Sequence, residues 1–199
     1  MTEEGTTTTQ GVPPAIAVLI GEHDLCRSRL DSAAAALTAG VTGGMLATQP
    51  ALNQTWLLLQ FLEDELETHI AKEEGPLFPR LKAALPAGDR LIDEMVAEHD
   101  MIRMKRGDVE SVLAHLIENH DGLRLNREFL RGALAGTGEP HASLLSIQHA
   151  VGVVATKLRV HFENEEELVF PLAKEFLTSE ELEQVAAEMA ALGDAAAAG

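Results

Sequence analysis

The sequence predicts an all-α fold: an antiparallel up-down-up-down four-helix bundle with a short extra C-terminal helix. Three observations carry this reading. First, Ala and Leu dominate a chain of 199 residues that is 46% hydrophobic, only 4% aromatic and without Tyr, a balance that favours helices over sheets. Second, apolar residues recur every three or four positions in four stretches, the mark of an amphipathic helix buried along one face. Third, two of those stretches end in one motif, His69-x3-Glu73-Glu74 and His161-x3-Glu165-Glu166. Each is followed at matching offsets by Phe and Pro, as Phe78-Pro79 and Phe170-Pro171.

Residues 1–12 read as a disordered N-terminal tail, 13–176 as the bundle, and 177–199 as a C-terminal helix with a frayed end. Pro13-Pro14 stands where helices favour a start, and the first stripe runs Ile16, Leu19, His23, Cys26, Leu30, Ala33, Leu37. Gly40 to Pro50, with Gly43-Gly44, reads as a loop. The second stripe is Leu52, Thr55 or Trp56, Leu59, Leu62, Leu66, His69, Glu73, with Gly75, Pro76 and Pro79 expected to end or kink the helix. Pro86 to Gly88 reads as a turn. The third stripe is Leu91, Met95, His99, Ile102, Val109, Leu113, Leu116, on which Arg106 occupies an apolar place that nothing in the sequence accounts for. Residues 118–140, rich in Gly, leave room for one short helix. The fourth stripe is Leu144, Ile147, Val151, Val154, Leu158, His161, Glu165, Leu168, Leu172. Residues 179–192 form a last amphipathic segment, expected to pack outside the bundle.

Charge and composition narrow the function classes. Net charge is −17, which disfavours nucleic acid and anionic membranes as partners. No apolar run reaches the roughly 20 residues that span a bilayer. The Thr-rich start does not read as a signal peptide, and one Cys makes no disulfide framework. The expectation is a soluble, cytoplasmic protein.

The chain repeats itself. Glu22-His23-Asp24-Leu25 matches Glu98-His99-Asp100-Met101, as the two His-x3-Glu segments match each other. It therefore reads as two related helical hairpins, the second longer by about 16 residues, a surplus assigned to 118–140. His23, His69, Glu73, His99, His161 and Glu165 all fall on stripe positions that face the core. A buried carboxylate must be paired, neutralised or bound to metal, and basic residues are scarce on these stripes. Counted along helices at 1.5 Å per residue, the four His come to one level, about 15 Å from one end of the bundle.

Four imidazoles and two carboxylates exceed what one structural zinc takes. They suit two cations, each with two His, bridged by Glu73 and Glu165, with an oxo or hydroxo bridge and a place for a small ligand. Iron uses such donors in helical bundles, and manganese or zinc accepts them too. Glu22 and Glu98, or Glu74 and Glu166, are candidate acceptors for the outer imidazole N–H groups. His115, His120 and His141 read as surface residues. His149 stands about 18 Å along the helix from His161. Cys26 reads as a small buried hydrophobe and Trp56 as packing.

The order His, His-x3-Glu, His, His-x3-Glu resembles the hemerythrin-like (HHE cation-binding) family over about residues 15–175. The resemblance implies a non-haem di-iron centre, two irons per chain, that binds dioxygen, nitric oxide or peroxide. Its ligands would be His23, His69, Glu73, His99, His161 and Glu165. Oxygen-carrying members have a fifth His four residues after the third-helix His, where this chain has Arg103. That departure argues against simple oxygen carriage and for a more open centre. Three functions follow: a small-ligand sensor working through a separate protein partner, a peroxide-degrading enzyme of catalase or peroxidase type, or iron and nitric oxide handling in metal-centre repair.

Overall fold

The structure, a computed structural model, describes residues 11–43, 45–85, 88–122 and 139–197. Among them every regular element is helical. Four long helices, α1 (Pro14–Gly43), α2 (Met45–Lys72), α4 (Gly88–Gly122) and α5 (Glu139–Asn164), supply the expected stripes. Helix α1 packs on α2 and α5, while α4 packs on α2 and α5, so the four enclose a common interior. A π-helical turn, Glu73–Leu77, carries α2 into α3 (Phe78–Ala84), and a second, Glu165–Val169, carries α5 into α6 (Phe170–Phe176).

Helix α7 (Ser179–Ala197) packs over α1, α2 and the first π turn. A capping box starts it: Thr178 Oγ1 accepts from the Glu181 amide at 3.2 Å, and the Glu181 carboxylate accepts from the Thr178 amide at 2.8 Å. Two apolar clusters fill the interior. One joins Cys26, Leu30 and Leu37 to Leu62, Ile102, Val151 and Leu158. The other joins Ile16 and Leu19 to Phe78, Met95, Phe170, Val185 and Met189. Each long helix places its repeat His between the two clusters.

The structure departs from the sequence reading in identifiable places. The loop expected over Gly40–Pro50 is helical up to Gly43 and again from Met45. Gly40 is a contact point: a Cβ there would lie 2.7 Å from the Ala51 Cβ, so its missing side chain lets α1 and α2 close up. Pro50 sits in the second turn of α2, where it withholds one backbone donor without ending the helix. Nor do Gly75, Pro76 and Pro79 end their helix, because the π turn absorbs an extra residue and α3 continues. The second π turn shifts the fourth stripe in the same way: Leu168 is exposed, and Val169, Phe170 and Ala173 are buried instead. Thr55 takes the core position in α2, its hydroxyl donating to the Ala51 carbonyl, and Trp56 is half exposed rather than packed. The Ala-rich end stays helical to Ala197.

Residues 1–10, 86–87 and 123–138 lie outside the described residues, and with them most of the predicted tail, part of the Pro86–Gly88 turn and most of the 118–140 region. The side chains of His115, His120 and His141 also lie outside them. No described helix is long and apolar enough to cross a membrane.

The close approach at Gly40 makes a paired stability prediction. Gly40→Ala should destabilise by about 1–2 kcal/mol, overpacking outweighing the gain in helix propensity. Gly152→Ala, where a Cβ meets nothing within 4 Å, should stabilise by about 0.5–1 kcal/mol. Urea unfolding of both variants reads the opposite signs.

Candidate metal centre

All six predicted residues converge between the two apolar clusters, and all are buried. Their helices aim them there for a simple reason. At the ends of α2 and α5 the His lies in the last turn and the Glu, four residues on, opens the π turn, while on α1 and α4 a single His occupies the matching level. Two overlapping groups result, His23, His69, Glu73, Glu165 and Glu73, His99, His161, Glu165, each with its donor atoms within 4.8 Å of one another. The two carboxylates belong to both groups.

The four rings share one orientation. Each Nδ1 faces a carboxylate: His23 Nδ1 to Glu166 at 2.7 Å, His69 to Glu22 at 2.9 Å, His99 to Glu74 at 2.7 Å and His161 to Glu98 at 2.8 Å. A carboxylate only accepts, so Nδ1 carries the proton and Nε2 of the neutral ring points its lone pair inward. There His23 Nε2 lies 3.2 Å from Glu165 Oε2, and His161 Nε2 lies 3.2 Å from Glu165 Oε1. His69 Nε2 and His99 Nε2 lie 3.4 and 3.3 Å from the two oxygens of Glu73. His23 and His69 bring their Nε2 atoms within 3.2 Å of each other.

With Nδ1 as the proton-bearing nitrogen, the inner Nε2 atoms and carboxylate oxygens face this space chiefly as acceptors. Both oxygens of Glu73, both of Glu165, and the Nε2 atoms of His99 and His161 are buried without a hydrogen-bond partner. Orphaned buried acceptors on this scale are costly, and cations satisfy all of them at once. The donor set therefore fits metal cations.

Without a cation, protons take part of that role. Burial, reinforced by the charge of Glu165, pushes the Glu73 carboxyl well above the ordinary carboxylate range. Burial works against Glu165 too, but His161, His23 and His99 outweigh it and hold that carboxyl well below the range. Burial lowers His69, whereas Glu165 and Glu98 overcome burial to raise His161. Without a cation, Glu73 therefore holds its proton to higher pH than Glu165.

The sequence reading offered either Glu22 with Glu98, or Glu74 with Glu166, as outer acceptors; the structure uses all four. Each holds the imidazole of a neighbouring helix, α1 to α2, the π turn after α2 to α4, α4 to α5 and the π turn after α5 back to α1, in a closed ring. Arg103 stays outside the donor set. It binds Glu67 at 3.0 Å and Asp100 at 3.2 Å, and lies 3.5 Å from Glu74. Arg106, anomalous on its stripe, donates to the Leu62 carbonyl and to Glu67. Neither role was readable from one helix alone, because Glu67 and Leu62 come from α2.

Aromatic rings pack beside the imidazoles. His23 lies between Phe162 at 4.0 Å and Phe170 at 5.6 Å, and His99 stacks on Phe78 at 5.9 Å. A cavity of about 20 Å³, bounded by Cys26, Leu66, Phe61 and Phe162, reaches His69 from beside exposed Leu25 and Glu65. Burial pushes the Cys26 thiol up to about 12, so it stays a protonated apolar wall. His149 lines a separate groove between α4 and α5 with Lys105 and Asp108.

A family model described as the hemerythrin HHE cation binding domain matches residues 14–118, more than half of the chain. That span contains His23, His69, Glu73 and His99; His161 and Glu165 follow it in the second copy of the repeat. No curated protein and no solved structure gives a significant match.

The raised carboxyl of Glu73 fixes the sign of one pH effect. A group raised in the folded state contributes stability at low pH that is lost as pH climbs from 4.5 through its folded value. Glu73→Gln, which mimics the protonated acid, should therefore match the metal-free wild type near about pH 5 and exceed it near about pH 8. Chemical denaturation of both proteins in chelator at the two pH values checks this.

Proposed function

The chain belongs to the hemerythrin HHE cation-binding domain family, and on that premise we propose that His23, His69, Glu73, His99, His161 and Glu165 hold two iron ions in a non-haem centre that binds a small ligand. Dioxygen, nitric oxide and peroxide are the ligand class. One observation carries the reading: four imidazoles and two carboxylates converge in a buried space, where both carboxylates and the Nε2 atoms of His99 and His161 have no hydrogen-bond partner. His23 and His69 would serve one ion, His99 and His161 the other, and Glu73 and Glu165 both. Manganese and zinc accept the same donors, but mixed imidazole and carboxylate in a helical bundle suits iron. We also read the four long helices as running up-down-up-down, which the common level of the four His supports.

Iron in such a centre supplies reversible ligand binding and redox change. The chain supplies the rest. The four outer carboxylates lock each ring with Nε2 inward, so orientation is set before any ligand arrives. The apolar clusters on both sides keep bulk water out, and the small cavity at His69 is the size of about one water. A space that small beside His69 supports a small ligand.

The peroxide-consuming reading draws support from Arg103. Its guanidinium is committed to Glu67 and Asp100, so this helix offers one imidazole where oxygen carriers offer two. A cation held by His99 and His161 would thereby have one protein donor fewer on this helix.

Elemental analysis of protein expressed with iron should find close to two irons per chain, with strong near-ultraviolet absorption. Stoichiometric zinc, or no metal, would sink the proposal. Hydrogen peroxide then separates enzyme from sensor: sustained oxygen evolution that disappears in His69→Ala marks turnover, and a stable coloured adduct marks binding alone.

A further inference from the structure

The ring of outer carboxylates has a second ring behind it, and that ring is not symmetric. Each outer carboxylate is touched by a residue three or four positions beyond the His it holds. Glu166, on His23, takes Arg27 at 2.8 Å. Glu74, on His99, has Arg103 at 3.5 Å. Glu22, on His69, takes the ammonium of Lys72. Glu98, on His161, takes only the amide of Asn164, at 3.3 Å.

These residues obey the internal repeat. Arg27 and Arg103 each stand four after their His, and Lys72 and Asn164 each stand three after theirs. Ligands, outer carboxylates and arginines are thus duplicated, and one position breaks the symmetry by a full charge. The flanking acids do not restore it. Asp24 on Arg27 is matched by Asp100 on Arg103, and the additional Glu67 is matched by Arg106. Phe162 replaces Ile70 beside the centre, a change that carries no charge. Among the described residues no cation reaches Glu98. Lys72, in contrast, is buried, with the backbone of α7 passing over it at Gly193, so its charge is poorly screened.

Both consequences of the mismatch have one sign. A carboxylate hydrogen-bonded to Nδ1–H makes the imidazole a stronger ligand, and a cation on that carboxylate weakens the effect. The ammonium also repels a metal ion directly. We propose that the Lys72/Asn164 mismatch makes the two halves of the centre inequivalent, so that a cation enters the His99–His161 half first and is held there more tightly than in the His23–His69 half. Lys72 and Asn164 are positioning residues, acting through Glu22 and Glu98. The inference rests on the two-cation reading, and stoichiometry tests that reading separately.

The experiment titrates the full-length metal-free protein with Co(II), following visible absorption and heat in parallel, with helical content checked by circular dichroism. Wild type should take up two ions in two resolved steps. Asn164→Lys should weaken the first step about tenfold and leave the second nearly unchanged. Lys72→Met should tighten the second step by a similar factor and leave the first nearly unchanged. Lys72→Arg, which keeps the charge, should behave as wild type, separating charge from packing. Asn164 is half-buried at the surface, so its variant tests the idea even if Lys72→Met fails to fold. Two ions with the crossed pattern, or with steps that neither charge change moves, overturn the inference while the two-cation reading stands. One ion or none overturns both.

Discussion

Four imidazole nitrogens and two carboxylates meet inside the helices with lone pairs forward, and burial denies each of them water. Desolvating that many acceptors opposes folding unless something positive sits among them. Protons can do part of it, as the opposed behaviour of Glu73 and Glu165 shows, but a proton satisfies two atoms and a metal ion four or more. The remaining structure serves this demand. Apolar clusters on both sides supply the burial energy that offsets a polar layer. The outer carboxylates fix which nitrogen of each ring faces inward. Arg27, Lys72 and Arg103 beside three of them, and the Asn164 amide beside Glu98, keep those carboxylates from becoming a second uncompensated layer.

The inner residues were legible in the sequence because each is an anomaly on a periodic background. A His or Glu on an apolar stripe stands out, and the repeat of His-x3-Glu removes chance as the explanation. The outer carboxylates were visible as a set without their assignments. Glu22 lies beside His23 in sequence yet holds His69, and Glu166 lies beside Glu165 yet holds His23. Sequence neighbours on a helix point about 100° apart, so an outer acid cannot reach the imidazole next to it and reaches the one across the groove. Which groove it faces depends on how the helices pack, and no single stripe records that. Arg106 was opaque for the same reason, its partners Leu62 and Glu67 belonging to another helix.

Breaker residues misled in a different way. Gly40, Gly43 and Pro50 look like a loop because their intrinsic helix propensity is poor. Tertiary packing overrides that preference where a missing side chain has value. At Gly40 the two helices come close enough to exclude a Cβ, and the contact recovers what the glycine costs in chain entropy. Trp56 misled by its size: a large ring next to Thr55 looks like the core residue, yet the small hydroxyl fits the interior and bonds back to its own helix.

The two π turns show how far the centre dictates backbone geometry. Gly75 and Pro76 tempt one to blame the first turn on local sequence, since Pro lacks a donor and Gly is flexible. The second copy has Glu167 and Leu168 at those places and makes the same turn, so neither residue is its cause. What both copies share is a central buried Glu at the start and a Phe five residues on, whose amide reaches back to that Glu's carbonyl. In an α-helix a residue five places on faces well away from the first, whereas the wider π turn returns it to nearly the same face. The return has a use. It lays Phe170 against His23 and Phe78 against His99, so that each helix delivering a carboxylate to the centre also delivers an apolar ring to its wall. A regular helix would meet one of those demands and miss the other. The exposed Leu168, which the stripe had assigned to the core, is the residue displaced when both are met.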